Sequence, residues 1–249
     1  MGEDRPRRAV ALPPRVSALA EPTPEAPKRR SLYGRSKGKP LRSHQAALVA
    51  DVLPTLEVDA GRLAAGAPLF GFAPRELWLE IGFGGGEHLV AQALAHPDVG
   101  VIGCEPFLNG VAKALAAIDE HKLANVRLHH GDASELLDWL PAGALTRIDL
   151  LYPDPWPKRR HWKRRFIQDD SLKRLARSLK SGGELRFATD IADYAVYALA
   201  RVLRSPDFVW TAEGADDWCK AWPDFSGSRY EAKAKREGRT PAYFVFRKV

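Results

Sequence analysis

Cysteine is scarce in this chain: Cys104 and Cys219 are the only two in 249 residues. Two thiols make no disulfide framework, and neither stands in a His/Cys cluster with metal-ligand spacing. A disulfide-stapled secreted domain and a zinc-binding module are therefore both excluded, and no metal is expected. Long apolar runs are also missing. No stretch approaches the roughly 20 consecutive apolar residues that a membrane helix needs. The opening MGEDRPRRAV has no apolar secretory core, and Pro6 stands where a myristoylation signal would want Ser or Thr. No internal repeat is visible. These absences leave a cytoplasmic protein with free thiols as the expectation.

What is present is charge of one sign, concentrated in two places. The net charge is +7, with 38 Lys+Arg against 31 Asp+Glu. Residues 1–40 contribute +6, and the run Lys158–Arg165 (KRRHWKRR) contributes another +6, which leaves the remaining chain at −5. An acidic body with two basic segments suggests a polyanionic partner. Residues 1–40 also hold seven of the 19 prolines and few large apolar residues. Such a segment cannot bury enough surface to offset its ordering entropy, so it is expected to be a disordered basic tail.

From residue 41 to 249 the chain reads as one α/β domain. Apolar strand candidates at Leu77–Ile81, Val101–Cys104, Val126–His129, Ile148–Tyr152 and Glu184–Ala188 alternate with helical patterns. Those helical patterns lie near His88–Ala95, Phe107–Asp119, Ser134–Leu140, Arg165–Leu179 and Ala192–Leu203. Alternation of this kind predicts a parallel sheet with helices on both faces. Phe208–Thr211 and Tyr243–Arg247 read as a terminal antiparallel pair around a polar insertion at residues 213–241.

The first strand runs into Glu80-Ile81-Gly82-Phe83-Gly84-Gly85-Gly86-Glu87. Glycines at a strand-to-helix turn let the backbone approach a ligand closely. A dinucleotide site wants G-x-G-x-x-G, but Glu87 occupies the third glycine position. A carboxylate there would repel a pyrophosphate, which argues against NAD. Glu105 closes strand two, 23 residues after Gly82, where a ribose-binding acid belongs. Asp132 and Asp154 follow strands three and four. Taken singly, each acid could be a helix cap. Four acids in register (Glu80, Glu105, Asp132, Asp154) make an acidic pocket at the carboxyl edge of the sheet. S-adenosylmethionine, with ribose, ammonium and sulfonium but no phosphate, is the cofactor that suits it.

The segment Tyr152-Pro153-Asp154-Pro155-Trp156-Pro157-Lys158 leads into the basic run. Alternating prolines stiffen it and fix Asp154 at the sheet edge. Trp156 and Trp162 are suited to stack on an unpaired base, and the basic residues to grip phosphates.

This stretch resembles the signature of the bacterial tRNA (guanine-N7)-methyltransferases, a proline-aspartate-proline-tryptophan segment followed by Lys, His and a basic cluster. Leu79–Gly84 resembles their cofactor motif, Ala188-Thr189-Asp190 their alanine-threonine-aspartate segment, and Ser228-Arg229-Tyr230-Glu231 their threonine-lysine-phenylalanine-glutamate segment. The similarity spans residues 31–249 and includes Ser31–Arg35. It implies a Rossmann-like class I methyltransferase with a mostly parallel seven-stranded sheet, acting on a guanine in the variable loop of tRNA. Glu80, Gly82, Gly84, Glu105, Asp132 and Asp154 would then bind S-adenosylmethionine, with Asp154 also catalytic. Lys158, Asp190, Ser228, Arg229, Tyr230 and Glu231 would bind the guanine. Arg160, His161, Trp162, Lys163, Arg164 and Arg165 would bind RNA. Ser228 replaces the usual Thr and keeps the hydroxyl. Arg229 and Tyr230 keep charge and ring. Pro157 replaces a common His, so no role of that His carries over.

Two other readings compete. Methylation of an exocyclic amino group would want one more proline in the Asp154 loop. A non-catalytic RNA-binding protein would have no need of the acids and the glycine turn.

Overall fold

The computed structural model describes Gly34 and residues 38–249. The expected tail over residues 1–40 falls outside the described residues, apart from Gly34 and residues 38–40, as does the rest of Ser31–Arg35.

Three short helices lead in: α1 (Ser43–Asp51), α2 (Leu53–Leu56) and α3 (Ala60–Ala64). The alternation then unfolds as β1 (Glu76–Ile81), α4 (Glu87–Ala95), β2 (Val99–Cys104), α5 (Leu108–Glu120), β3 (Val126–His129), α6 (Ala133–Trp139) and β4 (Leu145–Leu151). A 3-10 turn over Arg159–Arg164 precedes α7 (Asp169–Ser178), β5 (Leu179–Thr189) and α8 (Ala192–Val202). The chain ends with β6 (Phe208–Trp210), α9 (Asp216–Cys219), α10 (Arg229–Arg236) and β7 (Ala242–Lys248).

The seven strands form one sheet in the order β3-β2-β1-β4-β5-β7-β6. Strands β1 to β5 pair in parallel, while β7 runs antiparallel to both β5 and β6. The expected Rossmann-like sheet, its parallel centre and its antiparallel end are all present. The order reverses at β1, so β1 and β4 are the neighbours between which an open α/β sheet has its ligand crevice.

Period-two alternation distributes the core over two faces. Leu79 and Ile81 of β1, Ile102 of β2 and Ile148 of β4 join α6, α7 and α8 in one apolar cluster. Trp78, Val101 and Val126 point the other way and pack with α1, α4 and α5.

Two boundaries differ most from expectation. The helix expected over Arg165–Leu179 starts only at Asp169. Gln168 caps it: Gln168 N–H donates to Ser171 Oγ at 2.9 Å, and Asp169 and Asp170 fill the first turn, where acids favour the helix dipole. Leu179 is not the helix end but the first residue of β5, which is longer than expected because of an irregular start opposite Leu145 and Arg147.

Candidate methyltransferase site

The turn after β1 holds Gly82, Gly84 and Gly86 at φ values of +75°, +59° and +80°, a left-handed run that side chains resist. A Cβ on Gly82 would meet nothing within 4 Å, so the turn opens onto free space. Glu105 fixes the turn from β2. Its carboxylate accepts from Gly84 N–H at 2.7 Å and from Phe107 N–H at 2.9 Å. Burial raises the Glu105 pKa, and these two amides only partly oppose the rise.

Beneath the turn, Glu80 is buried and its Oε2 lies 3.0 Å from Nδ1 of His88 on α4. Burial alone would lower the His88 pKa, but attraction to Glu80 and the hydrogen bond outweigh it and the net shift is upward. Asp132 caps α6, accepting from Ser134 N–H at 2.7 Å. Of the four acids, Asp132 therefore also does the ordinary structural work of a helix cap.

Asp154 sits on the loop after β4, bracketed by two bulky residues in left-handed backbone, Tyr152 (φ +50°) and Trp156 (φ +43°). Such conformations are rare for non-glycine residues and persist only where the surroundings impose them. Tyr152 N–H is tied to Ala188 O at 2.8 Å, which holds the loop to β5. Desolvation raises the Asp154 pKa. Asp154 is near enough to Glu105 that its charge adds to the upward shift there, so the glycine turn and the Asp154 loop share one electrostatic environment.

The late segment meets the same place. Ser228 caps α10 by accepting from Glu231 N–H at 3.1 Å. A Cβ on Gly84 would stand 3.1 Å from Arg229 Nη2 and 3.4 Å from the Tyr230 ring. Arg229 and Tyr230 thus lie over the glycine turn, and both are exposed. Glu231 instead is buried, accepting from Tyr243 O–H at 2.6 Å and pairing with Lys235 at 2.5 Å. Asp190 pairs with Arg239 at 2.5 Å. Ser228, Glu231 and Asp190 therefore hold the segment in place, while Arg229 and Tyr230 present themselves outward.

In the basic run, Lys158, Arg159, Arg160 and Lys163 are exposed. Burial, then the charges of Arg164, Arg160, Lys158 and Lys163, lowers the His161 pKa, so these cations cluster in space. Arg164 lies over the Trp156 ring at 4.9 Å, and Trp162 meets Tyr197 edge-on at 5.5 Å. Arg165 requires a correction. Its expected contact with RNA is ruled out because it is 0% exposed, one of the most deeply buried large side chains in the molecule.

Several residues escaped the sequence reading. Arg147 and Asp149 of β4 are both buried and bonded at 2.8 Å. Arg147 also reaches Asp224 and Gln92, each at 2.8 Å, and Arg186 of β5 holds the same Asp224 at 2.8 Å. Asp224 lies in the insertion, so this network clasps the insertion to the sheet four residues before Ser228. Two charges at alternate positions of a central parallel strand, Thr146-Arg147-Ile148-Asp149, were the available signal, because such strands are ordinarily apolar on both faces.

S-adenosylmethionine fits the donor set. The cradle offers carboxylates for ribose hydroxyls and cations, and Glu87 at the start of α4 would oppose a phosphate. A glycine turn flanked by Glu80, Glu105 and Asp132 at the carboxyl edge of a Rossmann-like sheet suits an S-adenosylmethionine-dependent methyltransferase, and comparisons with known proteins place the protein in that class. The family described as "Putative methyltransferase" matches residues 74–243. A tRNA (guanine-N(7)-)-methyltransferase of Nitrobacter hamburgensis is 56% identical over 220 residues, covering 88% of this chain and 86% of that one. Proteins of the same name from Rhodopseudomonas palustris strain BisA53 (52% identical, 93% of this chain and 94% of that one) and Bradyrhizobium diazoefficiens (52%, 88% and 94%) match as extensively. The chain belongs to the tRNA (guanine-N(7)-)-methyltransferase family. Among solved structures, the antibiotic-resistance methyltransferase Kmr aligns with a TM-score of 0.48 at 17% identity, over 77% of this chain and 94% of that one.

Proposed function

We propose that this protein transfers the methyl group of S-adenosylmethionine to N7 of a guanine in tRNA, forming 7-methylguanosine. The convergence at Gly84 carries the reading. Glu105 holds its amide from one side, Arg229 and Tyr230 cover it from another, and Asp154 shares the environment of Glu105.

When bound, S-adenosylmethionine supplies an electrophilic methyl group on a cationic sulfur. Gly82, Gly84, Glu80, Glu105, Asp132 and Asp154 form the cradle that orients it. Guanine N7 carries a lone pair and no proton. No side chain need act as a base. Asp154 orients the purine and stabilises the positive charge that appears on it. Lys158, Arg229 and Tyr230 face the base, with Ser228, Glu231 and Asp190 holding their segments in place. Residues Arg160 to Arg164 meet the RNA. In A-form RNA the N7 edge lies in a groove that side chains cannot enter, so the target guanine must leave its stacked position.

Incubation with unmodified tRNA and labelled cofactor, followed by nucleoside analysis, tests this reading. Label in 7-methylguanosine is the expected result. Label in an N2- or N6-methylated nucleoside would refute it in favour of exocyclic amino methylation. No transfer, with RNA bound but no heat from cofactor titration, would refute it in favour of a pure RNA binder.

A further inference from the structure

The buried Arg165 has no place in an RNA interface, and its partners show what it does. Nε donates to Pro155 O at 2.8 Å. Nη2 pairs with Asp193 in the first turn of α8. The guanidinium lies over three rings: Trp162 at 4.6 Å, Tyr197 at 4.7 Å and Tyr194 at 4.8 Å. The next residues are pinned as well, since Tyr194 Oη accepts from Phe166 N–H at 3.0 Å and Ile167 N–H at 3.3 Å. Arginine is almost never fully buried unless paired, because its desolvation has to be offset. An apolar residue would fill this space at lower cost. What it could not do is bond to the carbonyl that follows Asp154.

That carbonyl matters because the loop is strained. Tyr152 and Trp156 hold left-handed backbone on either side of Asp154. A loop in such a conformation relaxes unless something overdetermines it. Tyr152 is held at one end by β5, and Pro155 at the other by Arg165.

We propose that Arg165 is a positioning residue for methyl transfer: its guanidinium, caged by Trp162, Tyr194 and Tyr197, grips the Pro155 carbonyl and so holds Asp154 toward the glycine turn. Arg165 touches neither tRNA nor cofactor. Lysine cannot replace it, because a point charge lacks the planar fork that bonds Pro155 and Asp193 while stacking on rings. The proposal rests on the methyl-transfer reading given above.

The test compares the wild type with Arg165→Lys, Arg165→Met and Asp193→Asn, and with Arg160→Ala as an RNA-contact control. Measured quantities are tRNA Kd and its salt dependence, cofactor Kd and single-turnover rate. Arg165→Lys is expected to bind tRNA within twofold of wild type yet react about 100-fold more slowly, the order of loss for a displacement near 1 Å. Its tRNA Kd and cofactor Kd should stay near the wild-type values while the single-turnover rate falls, a split that loss of stability alone would not produce. Asp193→Asn, altering a half-exposed partner, should fold and show a smaller loss in rate with the same tRNA Kd. Arg160→Ala should differ in kind, with a raised tRNA Kd as its main effect and a flatter salt dependence of binding. A raised tRNA Kd with unchanged saturated rate in the Arg165 or Asp193 variants overturns the proposal. So does an unchanged rate in both Arg165→Lys and Asp193→Asn. If the wild type itself forms no 7-methylguanosine, the functional reading fails first, and that outcome is distinguishable from either.

Discussion

Asp154 is the residue whose ionisation the reaction should feel most directly. Desolvation raises its pKa above the usual aspartate value. The carboxylate, the form that stabilises a cationic purine, is therefore present only above that raised pKa. Activity should be lost as pH falls through it, at a higher pH than an ordinary aspartate would give. A single-turnover rate profile should show this acidic limb, and Asp154→Asn should remove the limb along with roughly a hundredfold in rate. A full-rate Asn variant would end the assignment. A quieter residue governs the other side of the pocket. Gly110 of α5 packs so closely that a Cβ would stand 2.2 Å from the Gly84 carbonyl oxygen. Gly110→Ala should push the glycine turn out of register, lower stability by about 1–3 kcal/mol and weaken cofactor binding about tenfold. Calorimetric titration with S-adenosylmethionine beside a thermal melt separates the two effects; lowered Tm with unchanged affinity would mean the turn absorbs the methyl group.

At the level of elements, most of the sheet was legible because its strands are short apolar runs bounded by Gly, Asp and Pro. The five parallel strands and the terminal pair overlap those runs, with β3 at the same residues, β1 one residue longer and β5 starting five residues earlier. Legibility failed where polar residues were bent to interior use. Arg165 counted toward a helical period and a basic surface, but its guanidinium is interior and helix α7 starts four residues later. Arg147 and Asp149 interrupt the mostly apolar β4, Arg186 lies on the neighbouring β5, and their partner Asp224 lies far along the chain in a segment without periodicity. No local spacing connects them. The four acids could be read as a set from strand ends, but their partners could not: His88 for Glu80, the Ser134 amide for Asp132 and the Gly84 amide for Glu105. The clasp gives the insertion its position, so Asp224→Ala should leave the buried Arg147 short of one partner and cost about 2 kcal/mol. The Km for tRNA should rise more than that for cofactor, since the loosened part is the one carrying Arg229 and Tyr230. Equal changes in both would place the clasp under the whole pocket rather than under the insertion.

Across the whole molecule, charge is separated by function. Glu80, Glu105, Asp132 and Asp154 stand at the carboxyl ends of β1 to β4, and the described basic run stands on the loop that also carries Asp154. On the function proposed above, the same loop would deliver both affinity for a polyanion and the group that faces the reacting base. This arrangement makes a quantitative claim about salt. Each lysine or arginine that neutralises a phosphate releases counterions, so the slope of log affinity against log salt falls by roughly one for every such contact removed. Arg160 and Lys163 are exposed, whereas Arg165 is fully buried. Arg160→Ala and Lys163→Ala should each flatten the slope by about one, and the double variant by about two. Arg165→Met, which also removes one positive charge from the run, should leave the slope unchanged, because that charge never reaches the phosphates. A net-charge effect would flatten all three single variants alike; contact with RNA flattens only the two whose side chains reach it. Filter-binding titrations at several salt concentrations distinguish these outcomes.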